Sequence, residues 1–87
     1  MENKITDLKK LSEALSILTG LNVHGTFNTS YPYFYLYQKN YVVIWEVSYT
    51  RKKYYLQRGN LRKIVCRGKD PQKIYDVAKV IMICEND

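Results

Sequence analysis

Apolar residues recur at two spacings along the chain, and the switch between them marks out three parts. Leu8, Leu11, Leu15 and Leu18 lie three or four residues apart, and Ala14 and Ile17 widen the same stripe. That period predicts an amphipathic helix over Thr6 to Thr19. Thr6 or Asp7 can accept a hydrogen bond from a free first-turn amide, and Gly20 supplies the positive φ at which helices end. From Leu21 the period drops to two: Leu21, Val23, Gly25 and Phe27 alternate with Asn22, His24, Thr26 and Asn28, as in a half-buried strand.

Asn28-Thr29-Ser30 reads as a turn, and aromatic and β-branched residues then dominate Tyr33 to Gln38 and Tyr41 to Thr50, with Lys39-Asn40 short enough for a hairpin between them. A second hairpin turns near Arg51-Lys52 into Lys53 to Gln57. Arg58-Gly59-Asn60 signals another turn before a last strand over Leu61 to Arg67. Asp70-Pro71 starts a second helix, because Asp caps free amides and proline tolerates the first helical position. Ile74, Val77, Ala78 and Ile81 share its apolar face, although the β-branched tail of Val80, Ile81 and Ile83 also fits a strand. The expected architecture is α+β: an N-terminal helix, an antiparallel meander of four to five strands and a C-terminal helix, with both helices on one face of the sheet.

Length makes this one domain over residues 1–87, since a chain of 87 residues cannot divide its burial between two cores. A hydrophobic fraction of 46% places it outside the compositions that stay disordered. The apolar runs Tyr41 to Trp45 and Val80 to Cys84 are far below the ~20 residues that span a bilayer, and the Met1-Glu2-Asn3-Lys4 start lacks the pattern of a signal or transit peptide. The expectation is a cytoplasmic protein with no membrane partner. Cys66 and Cys84 sit among apolar neighbours and form no CxxC, so neither a disulfide framework nor a metal site is expected.

Charge changes the picture most. Ten of the fourteen basic residues lie between positions 51 and 79, against Asp70 and Asp76 alone, which makes that segment net +8 and leaves −2 for the rest of a +6 chain. An asymmetry of this kind points to an anionic partner, most commonly a phosphate backbone. The candidate contacts are Arg51, Lys52, Lys53, Arg58, Arg62, Lys63, Arg67, Lys69 and Lys73. The competing reading is that these cations solvate the meander and guard its edges. Nine tyrosines are many for the length. Tyr33, Tyr35 and Tyr37 share one strand face, and Tyr41, Trp45 and Tyr49 share a face of the next. Such stripes serve either as stacking platforms or as core. Tyr49, Tyr54 and Tyr55, nearest the basic segment, are the aromatic contacts expected to accompany it.

Chemistry-bearing motifs are sparse. His24 has no Cys, Ser or carboxylate at a recognisable spacing, Glu46 interrupts an apolar run, and no phosphate-cradling glycine loop occurs, so neither an enzyme nor a cofactor is expected. The GxxG loop of KH domains and the aromatic-glycine string of RRM domains are missing as well. The helix, meander, helix order resembles the layout of double-stranded-RNA-binding domains, with Lys69 and Lys73 astride the second helix start, but the lysine pair and alanine-rich helix of that family are not here. Two functions compete: a non-enzymatic nucleic-acid-associated module, or a compact phage or mobile-element accessory protein. The latter would inhibit or adapt a nucleic-acid-processing host protein through a protein interface of ~800 Å² per partner. A homodimer fits either.

Overall fold

A computed structural model describes residues 4–59 and 63–86. The order is α1 (Leu8–Thr19), β1 (Asn22–Thr26), β2 (Tyr33–Tyr37), β3 (Val43–Thr50), β4 (Lys53–Arg58), β5 (Ile64–Gly68) and α2 (Pro71–Asn86), and the strands form one antiparallel sheet in sequence order. The expected α+β architecture is what the chain adopts. Asp7 caps α1 by accepting from the Lys10 amide at 2.8 Å, and Gly20 ends it at φ 73°, its amide donating to Ser16. Asp70 caps α2, its carboxylate accepting from the Gln72 amide at 3.0 Å.

Alternation sorts the sheet into two faces. On the covered face stand Phe34, Leu36, Trp45, Val47, Tyr54 and Leu56, all buried. The helices close over them with Leu8, Leu11 and Leu15 from α1 and Ile74, Ala78 and Met82 from α2, so α1 lies over β1 and β2, and α2 over β4 and β5. Burying side chains of this size stabilises by roughly 1.5–3 kcal/mol each, so this layer holds the fold together. Packing also decides the β-branched end of α2 in favour of helix. Ile74, Ala78 and Met82 follow at intervals of four along the contact with the sheet, and Val77, expected on that face, is instead 41% exposed.

An odd number of antiparallel strands separates the two helices, so both run in the same direction. Their N-termini therefore meet at one end of the sheet, where the Ile5 amide donates to Gln72 Oε1 at 2.9 Å. The β3–β4 turn and the β5–α2 junction lie at this end too.

Three local departures from the expected pattern matter. β3 begins at Val43, not Tyr41: residues 39–41 form the hairpin loop, closed by Gln38 donating to Val42, and Tyr41 holds the left-handed position at φ 59°. Tyr41 is therefore not on a face with Trp45 and Tyr49. Register shifts at Leu36/Tyr37 and at Leu56/Gln57 mark bulges. The second separates Ile64, paired with Gln57, from Cys66, paired with Leu56, and so puts the two on opposite faces although they are two residues apart. Leu61 and Arg62, expected at the start of the last strand, lie outside the described residues, as does Asn60 of the turn before it.

Candidate functional site

The ten-cation segment is not one surface. β4 rises ~17 Å over its six residues from Lys53 to Arg58 and places the two at opposite ends of the sheet. Lys53, Arg51, Lys52, Arg67, Lys69 and Lys73, all exposed, gather at the end where both helices begin. Lys63 is exposed at the far end; Arg62 lies outside the described residues. Arg58 is half-buried on the covered face with its guanidinium 4.4 Å from the Trp45 ring centroid, so it belongs to the packing and leaves the candidate site. The reason is parity: an offset of five from Lys53 puts it on the other face.

Two features make the near end unusual. Arg51 and Lys52 are the central residues of a two-residue hairpin loop at φ 53° and 64°, the type I′ geometry that Asn-Gly fills without strain. Side chains with a Cβ cost roughly 1–2 kcal/mol per residue there. Lys9, Lys10 and Lys73 occupy the first turns of the two helices, where the dipole favours acids, and neither helix has an acid in its first turn. Lys9 and Lys10 escaped the sequence reading because they sit forty residues from the basic run, in a stretch of the chain whose charges cancel. Antiparallel topology brings them in. Asp7, exposed, and Asp70, half-buried, stand at the same end as the helix caps.

Tyrosines divide just as sharply. Tyr54, expected as a contact, is only 8% exposed, and burial first, then Tyr49, Asp7 and Asp70 nearby, hold its hydroxyl pKa above the ordinary value of 10.0. Tyr49 faces it across β3–β4 with ring centroids 4.5 Å apart and packs on the core. Together with Asp7, Lys9, Phe27 and Pro32 the pair lines a groove of about 400 Å³. Tyr54 is thus buried at the base of the basic end, because even positions of β4 point at the helices, and Tyr49, half-buried on the same face of β3, lines the groove beside it. Only Tyr55 of the expected three stands on the open face.

Its neighbours there are read from the register. One row across the sheet is Thr26, Tyr33, Ser48, Tyr55 and Arg67, and the next is His24, Tyr35, Glu46 and Gln57. The rings of Tyr33 and Tyr35 touch at 5.1 Å, tilted by 56°, and Tyr37 carries the stacked Tyr41 at 5.7 Å. His24 and Glu46 flank Tyr35 from the two adjacent strands, two interstrand spacings or ~10 Å apart.

Cys66 is half-buried on the covered face and burial raises its thiol pKa, which lowers its thiolate fraction, whereas Cys84 is exposed. Among the described residues no helix is long and apolar enough to cross a membrane. Set against protein-family models, curated proteins and solved structures, the chain matches none of them.

Proposed function

We propose that the protein is a non-enzymatic, cytoplasmic nucleic-acid-binding module whose anion-binding surface is the end of the sheet formed by the β3–β4 turn, the β5–α2 junction and the first turns of both helices. The observation that carries this reading is the gathering of Arg51, Lys52, Lys53, Arg67, Lys69 and Lys73, with Lys9 and Lys10, at one end. Two choices there are unfavourable for folding: cations in the first turns of both helices oppose the dipole that the Asp7 and Asp70 caps complement, and adjacent Arg and Lys strain the turn. Residues that lower stability in concert are expected at a functional surface.

The chemistry is phosphate neutralisation. If six to eight of these cations each meet a phosphate, the logarithm of affinity falls against the logarithm of salt with a slope of about −4 to −7. Fluorescence anisotropy of labelled single- and double-stranded oligonucleotides across a salt series measures that slope. Absence of binding to every oligonucleotide at low salt overturns the reading.

A second reading rests on α2. Val77, Val80 and Ile83 leave 41%, 63% and 46% of their surfaces exposed along the outer side of that helix, the kind of stripe a protein partner covers. On this reading the chain is an accessory protein, of the phage or mobile-element type, docked on a nucleic-acid-processing host protein. Val80→Asp would then abolish a stoichiometric complex that Lys69→Glu leaves intact, the reverse of the outcome for the first reading.

A further inference from the structure

Two helices cover one face of the five-stranded sheet, and no described helix packs on the other. What lies on that bare face next to the basic end is specific. Tyr55 is flanked on two sides by cations: Arg67 stands directly across on β5, at the ~5 Å spacing of paired residues, and Lys53 lies two residues earlier on the same strand, ~7 Å away on the same face. On its third side is Ser48, and beyond it Tyr33, which Tyr35 braces. The small serine between two tyrosines leaves a low floor some two strand spacings, ~10 Å, wide. Charge falls off away from the rim, because the next row holds the carboxylate of Glu46.

We infer that this face binds single-stranded nucleic acid, with bases stacked on Tyr55 and Tyr33 while Lys53, Arg67 and the Arg51-Lys52 tip hold the backbone. The inference rests on the nucleic-acid reading above and narrows it. An aromatic ring can take a base only if that base has a free face, and in a duplex both faces are occupied by neighbouring base pairs. A purely electrostatic surface needs no rings among its cations, whereas here a half-buried tyrosine stands at the corner between Lys53, along the strand, and Arg67, across it. Glu46 gives the strand its path: phosphates are repelled from the second row and follow the first, crossing the strands from Arg67 towards Thr26.

The test compares three labelled probes of about twelve nucleotides, a length within one small-domain site: oligo-dT, an abasic strand with the same phosphates, and a duplex, with oligo-rU added to separate RNA from DNA. Oligo-dT or oligo-rU is expected to bind at least about tenfold tighter than the abasic strand. Tyr55→Ala is expected to weaken the base-bearing strand roughly 5- to 150-fold, leave the abasic strand unchanged, and be rescued by Tyr55→Phe. Equal binding of abasic and base-bearing strands, or a duplex bound as tightly as the single strand, overturns the stacking face while leaving the basic end as a phosphate-binding surface. If none of the probes binds, the nucleic-acid reading itself fails, and the stacking face with it.

Discussion

Lys53 and Arg58 open and close the same six-residue strand, and they have opposite fates. Lys53 is exposed on the open face at the end where both helices begin; Arg58 is half-buried on the covered face, its guanidinium over Trp45. Composition counts them alike. Their difference teaches that a cation's availability depends on strand parity and on which end of the sheet it reaches, two properties that a local charge count does not contain.

The same parity governs stability, and the largest expected effect tests it on adjacent residues. Leu56 is fully buried under α2, so Leu56→Ala is expected to cost about 2–5 kcal/mol in urea unfolding. Tyr55→Ala, one residue earlier on the open face, is expected to cost well under half of that. Similar costs for both would mean that the open face is covered by something in solution.

Next in size is the contrast between the two ends. Reversing charge with the pair Arg67→Glu and Lys69→Glu is expected to weaken oligonucleotide binding on the order of 100-fold at moderate salt, whereas Lys63→Glu at the far end should change it no more than about threefold. Anisotropy titrations at fixed ionic strength decide this, and equal effects would dissolve the distinction.

Stability and binding should also separate at the two kinds of arginine. Arg58→Ala is expected to lower stability by about 1–2 kcal/mol through loss of the Trp45 contact, with little change in affinity. Replacing Arg51-Lys52 by Asn-Gly is expected to do the opposite, raising stability by about 1 kcal/mol as turn strain is relieved while affinity falls. A turn replacement that strengthened binding would argue against the hairpin tip as a phosphate contact.

The smallest expected effect is a pH dependence at the base of the basic end. Because the folded protein holds the Tyr54 proton above the ordinary tyrosine value of 10.0, its unfolded state loses that proton first as pH rises. The stability tied to this group is therefore complete below about pH 10 and is lost as pH climbs through the raised value. Denaturant midpoints at pH 9 and above should fall more steeply for the native protein than for Tyr54→Phe.

Element type and order were legible from the sequence because each signal is local. Leucines at spacings of three and four, Asp7 and Asp70 before helices, and Gly20 after one act within a turn of their own position, so α1, the meander and α2 followed with modest shifts of boundary. Other features depend on distant partners. The bulges at Ile44 and Val65 arise from how strands register against each other, and they moved Ile64 off the face of Cys66. Tyr54 joined the core because α1 and α2 close over its side of β4, and no periodicity within β4 says which side that is. The candidate site combines Lys9 and Lys10 with Lys53, Arg67 and Lys69 for the same kind of reason: an odd number of antiparallel strands returns the chain to the end from which it began. Local signals along the chain are enough to specify a basic helix–meander–helix domain. Tertiary structure decided which of its cations stand together and which of its tyrosines face outward, because those are set by parity and topology rather than by neighbours along the chain.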